Sequence, residues 1–417
     1  MNSDLTDTLA FQTPKPVNTS RIQVVDALRG FALLGILLVH ASVWFDGGPL
    51  PGSVYQVNGQ GVANMVVQTV MGIFFSGKFY TFFSFLFGLS FALMLTRSTD
   101  SDGAFLRRFA WRLVLLGAIG FLHHLHWRGD ILSIYAMLGF VMLLFRKAPL
   151  PLVLTVAILL VLNLPAQIRN NYNQFFVTPP TKVQQEQEQK SFEKLVDANY
   201  QAIKHGSYVD VVRVNLSEFK TKMDFQFDSG RIYITLGFFL LGLYAGRRKL
   251  FQQLTDNKPL FRRLTKYSGY TVLVILILFG TAIALIGASG QPPKPVELLF
   301  SFLFDLGSVA LTLFYIAGLT LLFQKAAWQR LISPLASIGK MALTNYILQS
   351  VFGTLIFYGY GLGLIGEIGT AWAASLAIPI FLAQVLFSRW WLSKFQYGPF
   401  EWLWRSLTYM KAQPILR

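Results

Sequence analysis

Apolar stretches long enough to cross a bilayer recur along this chain, near residues 24–44, 78–95, 109–126, 131–145, 150–168, 230–246, 267–288, 298–323, 337–358 and 370–388. A hydrocarbon core roughly 30 Å thick takes about 20 residues of helix at 1.5 Å each, so each run reads as a candidate transmembrane helix. The apolar run from Val62 to Leu95 is too long for one perpendicular span. A break at Gly77 and Lys78 divides it, leaving 62–76 as a re-entrant or interfacial helix ahead of the second span. The pattern predicts an all-α, polytopic membrane protein of about ten spans.

The polar segments test that count, because short cytoplasmic loops collect Lys and Arg. Arg21, the Arg97/Arg107/Arg108 loop, Arg146/Lys147, the Arg247 to Lys266 loop, Lys325/Arg330/Lys340 and the tail from Arg389 fall on one side. The opposite side holds the 45–61 loop without Lys or Arg, Arg128 alone, Lys294 alone and the 359–369 loop without either. Both termini are therefore expected in the cytoplasm. Residues 169–228 are polar and of mixed charge around QQEQEQK, with Pro179 and Pro180 before a helix expected over 181–205. Long loops cross regardless of charge, so this segment is read as an external helical cap. It separates a five-span half at 21–168 from a second at 229–411. A disordered cytoplasmic segment is expected at 1–20, and an amphipathic interfacial tail at 390–417 carries Trp402, Trp404 and Tyr409 beside basic residues.

Composition agrees: of 417 residues 53% are hydrophobic, 15% aromatic and 13% charged, too little polar surface for a soluble globule. The formal charge of +16 lies in short clusters between apolar runs, which indicates topology and no nucleic-acid partner. With no cysteine, disulfides, thiolate metal sites and a Cys nucleophile are excluded. No glycine-rich phosphate loop, dinucleotide fingerprint or nucleophile elbow occurs. The first apolar run follows a polar stretch and continues at spanning length, so it is expected to remain as a span.

Ionisable groups within spans are functional suspects, since each costs several kcal/mol unless it faces protein or a water-filled cavity. The first span, RIQVVDALRGFALLGILLVHASVW, carries Asp26, Arg29 and His40. Arg29 and His40 are eleven residues apart, which returns to within about 20° on a helix, so they share a face about 16 Å apart. Asp26 can pair with Arg29 one turn away. An interfacial ion pair and an interhelical hydrogen bond are the structural readings of these three residues. His123, His124, His126, Arg128 and Asp130 form the densest polar group, at the outer end of the third span. They can anchor the interface or line the outer mouth near His40; the spacing does not match a metal-binding helix and no metal is expected. Asp130 either caps the next helix or takes part in chemistry. Thr81, Ser84 and Gly88 form a small stripe suited to close packing. Asp305 lies within the eighth span and is expected to face a cavity or pair with Arg231. Lys78 at the head of the second span, and Asn345 and Gln349 on one face of the ninth beside Tyr346, complete the candidate substrate-binding residues, with interhelical hydrogen bonding as the competing reading for the amides.

The Asp-x-x-Arg-Gly of the first span followed by His40 resembles transmembrane acyltransferases, both acyltransferase family three and the heparan-glucosaminide acetyltransferase type. The resemblance implies that Arg29 and His40 serve transfer of an acyl group from cytoplasmic acyl-CoA to an acceptor, usually a sugar. GKFYTFFSFLFGLSFALML at 77–95, HHLHWRGDIL at 123–132, GKMALTNYILQS at 339–350 and YGPFEWLWRSLTY at 397–409 are similar to the YeiB-like bacterial membrane proteins, domain of unknown function 418. That likeness covers most of the chain.

In chemical terms, His40 can accept the proton of an acceptor hydroxyl as it attacks a thioester, and Arg29 can hold CoA phosphates. Asp26, Arg29 and His40 are thus the candidate catalytic residues of an acyltransferase in a bacterial cytoplasmic membrane. Acyl-CoA would be its co-substrate, no tightly bound cofactor is expected, and the partners are membrane lipid and a sugar or lipid-linked acceptor. The sequence is compatible with a homodimer. The alternative is a transporter or flippase-like protein in which the same residues line a route without covalent chemistry.

Overall fold

A computed structural model describes residues 22–286 and 294–417. The expectation for 1–20 and most of the loop carrying Lys294 lie outside the described residues. Everything described is helix, turn or irregular chain apart from one bridge between Phe395 and Leu416.

The first span is α1 (Gln23–Ser42). After two short helices, α2 (Gly52–Asn58) and α3 (Val62–Val70), a π-helical turn at Met71–Phe75 leads to Ser76 and to Gly77, whose φ of 81° ends the helix. The chain restarts as α4 (Phe79–Arg97), so the long apolar run breaks at the glycine its sequence offers. Then follow α5 (Asp102–His126) and α6 (Leu132–Leu144). The expected span at 150–168 is two helices, α7 (Leu150–Val161) and α8 (Leu164–Phe176), bent by 45° at the left-handed Asn163.

The polar segment folds as α9 (Lys182–His205), α10 (Tyr208–Ser217) and α11 (Phe219–Asp228). Capping boxes start the first two: Thr181 with Gln184, and Ser207 with Asp210. The second half contains α12 (Arg231–Arg247), α13 (Lys258–Ile286) and α14 (Lys294–Phe323). After α15 (Ala326–Ile332), where one span was expected over 337–358, the chain forms α16 (Leu335–Lys340) and α17 (Ala342–Phe357), separated at Met341. The chain closes with α18 (Thr370–Lys394) and α19 (Pro399–Tyr409).

Among the described residues, five helical segments are long and apolar enough to cross a bilayer by themselves, and the bent α7–α8 pair makes a sixth. This is a helical membrane protein. At 13, 17 and 16 residues, α6, α12 and α17 fall short of the roughly 30 Å crossing length, so helix length alone does not deliver ten spans.

Two glycine contacts draw the bundle together. A methyl group on Gly88 of α4 would overlap the Phe239 carbonyl, and one on Gly242 of α12 the Phe85 carbonyl, so these backbones meet directly. The rest of the predicted small stripe is spent likewise on packing: Thr81 hydrogen-bonds Thr312 at 2.9 Å and Ser84 Tyr135 at 2.7 Å. In the same way Gly30 of α1 abuts the Leu335 carbonyl and Gly339 the Asp26 carbonyl, seating α16 against the start of α1.

Candidate functional site

A cavity of about 1450 Å³ runs the length of α1, touching Ile22, Val25, Asp26 and Arg29 near its start and Ile36, Val39, His40 and Val43 near its end. Arg29 and His40 do share a face, and that face lines the cavity. At the α1 start, Arg29 donates to Asp26 at 2.5 Å and to Ser90 at 2.8 Å. The expected ion pair is therefore formed, and it stands in the cavity wall.

Around that end the wall also contains Arg97, Arg112, Lys340 and Arg405. Sequence reasoning did not select these four. The Arg112 guanidinium lies 3.6 Å from the Trp404 ring centroid, and the Trp404 indole N–H donates to the Arg112 carbonyl at 3.0 Å. Arg405 stacks between Tyr397 and Tyr409, and its buried Nε has no hydrogen-bond partner. Glu401 receives the amides of Leu343 at 2.6 Å and Thr344 at 3.1 Å, capping the freshly started α17. Burial raises the Glu401 carboxyl above its ordinary range, against the lowering effect of those hydrogen bonds. The tail thus builds one mouth of the cavity. Its share of the mouth comes from YGPFEWLWRSLTY, the segment whose aromatic and basic residues predict an interfacial helix.

Further along, the His40 ring stands edge-on to Trp127 at 4.7 Å and 5.7 Å from Phe45. Among the described residues neither nitrogen of His40 is hydrogen-bonded, so the interhelical bond expected as its structural role is not made. Arg231 lines the same cavity as His40.

The third region of the wall lies under the cap and includes Asp46, Tyr55, Arg128, Asp130, Lys222 and Arg231. Asp130 caps α6 through the amides of Leu132 at 3.0 Å and Ser133 at 3.1 Å, one of the two roles its position allows. It also pairs with His123 at 2.9 Å, and Lys222 of the cap approaches at 3.5 Å. Burial favours the neutral acid, but the His123 hydrogen bond and the Lys222 charge win, holding the Asp130 carboxyl well below its ordinary range. In the opposite sense, burial pushes the Asp46 carboxyl up to about 6 despite Arg128 nearby and a Tyr55 hydroxyl donating at 2.8 Å.

Other candidates stand away from the cavity wall. His123 bonds Ser350 at 2.7 Å through Nε2, His124 reaches the Asn215 carbonyl at 2.7 Å, and His126 the Thr354 hydroxyl at 3.1 Å. No cluster of metal-ligating side chains occurs among the described residues. Lys78 donates to the Gly72 carbonyl at 3.0 Å, closing the π-helical turn. Asn345 bonds Ser388 at 2.9 Å, and Gln349 reaches Leu33 and Gln384, so both amides join helices rather than face the cavity. Asp305 is not paired with Arg231: it accepts from Asn163 at 3.0 Å and Gln167 at 3.4 Å, while Arg231 packs over Tyr80 and Phe225. The bend at Asn163 turns its amide toward Asp305, a contact that a straight α7–α8 span did not suggest.

A family model described as "Protein of unknown function (DUF418)" matches residues 245–411. The uncharacterized protein YxaH of Bacillus subtilis (strain 168) is 29% identical over 96% of this chain and 97% of its own length. An uncharacterized 39.9 kDa protein of Bacillus acidopullulyticus is 29% identical over 95% of this chain and 96% of its own. The uncharacterized protein YeiB of Escherichia coli (strain K12) is 27% identical over 94% and 97% respectively.

Proposed function

The chain belongs to the YeiB-like family of bacterial membrane proteins, DUF418, and on that premise we propose that it is a membrane-embedded acyltransferase using acyl-CoA. One observation carries this reading: a continuous cavity links a basic mouth to a capped chamber and passes a histidine whose ring nitrogens are uncommitted. In the proposed orientation ten spans place both termini in the cytoplasm, the basic mouth inward and the cap outward, in a bacterial cytoplasmic membrane.

Acyl-CoA enters at the mouth of Arg29, Arg97, Arg112, Lys340 and Arg405. Guanidinium forks suit its phosphate oxygens, and the uncommitted Arg405 Nε leaves a donor for them. The thioester then lies along the cavity toward His40. An acceptor hydroxyl from the cap side loses its proton to His40 while its oxygen forms a bond to the acyl carbon. The C–S bond breaks, CoA leaves as thiolate, and the His40 proton passes to that sulfur. A positioned general base of this kind is worth about 10²–10⁴ in rate.

The test is acyl-CoA binding and turnover by purified protein in detergent. His40→Ala is expected to retain binding and lose turnover about 100-fold or more. Arg405→Gln is expected to weaken binding. A protein that neither binds nor turns over acyl-CoA overturns the reading. The same continuous cavity would also serve as a translocation route, and substrate uptake by proteoliposomes without an acylated product would favour that alternative.

A further inference from the structure

The chamber under the cap holds two guanidinium groups that the fold leaves with donors to spare. Arg128 is 3% exposed and bonds the Asp46 carbonyl at 2.7 Å through Nε and the Pro49 carbonyl at 3.3 Å through Nη2. Its Nη1 is buried without a partner in a residue that lines the cavity. Gly47 and Gly48 form the adjoining wall, and a methyl group on Gly48 would come within 2.9 Å of the guanidinium carbon. The wall is bare backbone where the arginine needs room. A buried donor left unpaired costs about 1–3 kcal/mol, so a ligand that supplies the missing acceptor has a free-energy gain waiting for it.

Arg231 is the second group. It is exposed to the cavity, flanked by the Tyr80 and Phe225 rings at 5.4 and 4.9 Å, and has no hydrogen bond or ion pair from its guanidinium among the described residues. Most acids nearby are committed. Asp130 is paired with His123, Asp224 with Lys220 at 2.6 Å, and Asp228 with Arg169 at 3.6 Å. Asp46 takes the Tyr55 hydroxyl. Glu218, also in the wall, remains able to accept from a ligand hydroxyl.

We infer that this chamber recognises an oxyanion, specifically a phosphate-bearing acceptor, with Arg231 and the spare Nη1 of Arg128 as its donors. The identification as an acceptor rests on the acyl-transfer reading; the anion site itself rests on the two arginines. Arg231 and His40 line the same cavity, so an anion held at Arg231 keeps the attached hydroxyl in the space that reaches the proposed base. Guanidinium with aromatic flanks suits a phosphate joined to an organic body better than a free ion.

Two probes test it, both on the full-length protein. Inorganic phosphate is titrated against thermal stability in a neutral detergent, and nanodiscs of phosphatidylcholine are compared with and without phosphatidylglycerol. Because bound ligand raises stability by mass action, the midpoint of the effect reports affinity. The basic mouth, on the acyl-CoA reading, would also take up phosphate, so Arg405→Gln serves to weaken that contribution. In the Arg405→Gln background, Arg231→Gln is expected to weaken the remaining effect about tenfold, as for loss of one charge-assisted contact. Arg128→Lys, which keeps the charge but loses the fork, is expected to weaken it as well. Response to inorganic phosphate indicates a soluble acceptor, and response to phosphatidylglycerol alone a lipid headgroup. No response to either probe, or a response that neither variant changes, overturns the inference. Acyl-CoA turnover without any such response would leave the enzyme reading standing and this one fallen. An Arg231-dependent response in a protein that never binds acyl-CoA would do the reverse.

Discussion

Asp46 is a carboxyl whose burial raises it to about 6 from 3.8, so the folded chain binds its proton more tightly than the unfolded chain does. A raised folded value gives stability that is complete below about pH 4 and lost as pH rises through 6, beyond which ionised Asp46 is a net cost. Asp46→Asn mimics the protonated acid. Its melting temperature is expected to match the parent near pH 4 and exceed it at pH 8, and a constant difference across that range would refute the assignment. At this scale the sequence was informative where one helix carries the relation, as for Arg29 and His40, or for Asp130 and the amides it caps. It was silent on Arg112 and Trp404, which stack from positions nearly 300 residues apart, because no local period encodes that contact. For Asn345 and Gln349, a shared face was legible but not its direction. Their partners Ser388, Leu33 and Gln384 come from other helices.

Among elements, the α4–α12 contact depends on backbone meeting backbone at Gly88 and Gly242. Gly88→Leu has to push Phe239 away, and overpacking of a close-packed site costs about 1–3 kcal/mol or more. The variant is expected to melt several degrees lower, measured by fluorescence of the detergent-solubilised protein. An unchanged melting temperature would show that the two helices separate without penalty. Most helix positions were legible from apolar runs, and the break before α4 from Gly77. The break at Met341 was not, since the sequence there is continuously helix-compatible. What permits a new helix start is Glu401, arriving 58 positions later to receive the amides of Leu343 and Thr344. The 45° bend at Asn163 was equally hidden: a left-handed asparagine beside Gly230 and Asp305 is a product of tertiary neighbours.

For the whole molecule, the cap is joined to the helical bundle at several points, among them Asn215, which donates to the Leu125 carbonyl at 3.0 Å, and Lys222, which reaches Asp130, Ser133 and His124 at 3.3–3.5 Å. Lys222→Met keeps much of the stem packing while deleting these bonds. Faster amide exchange over 208–228, with exchange in α4 and α12 unaltered, is expected; uniform exchange across both would show that Lys222 contributes nothing to holding the cap. The proposed orientation can be read on the intact cell. Because the chain has no cysteine, single replacements need no altered background. Ser191→Cys is expected to react with a membrane-impermeant maleimide added outside, and Ser406→Cys only after permeabilisation; the reverse pattern would invert the protein. Loop charge made orientation arguable from sequence, whereas the cavity was not, because it is the space left between seven or more helices.

The last residues fold back on the bundle: Gln396 donates to Ile415 at 2.8 Å, Trp402 to Gln413 at 2.7 Å, and Phe395 bridges Leu416. The chain after Met410 is therefore pinned to the segment joining α18 and α19, whose Tyr397 lines the basic mouth together with Glu401 and Arg405. Loosening that end, as Trp402→Phe would by deleting the bond to the Gln413 carbonyl, is expected to shift the setting of Tyr397 and so weaken acyl-CoA binding; unchanged binding would show that the mouth holds its shape without the tail.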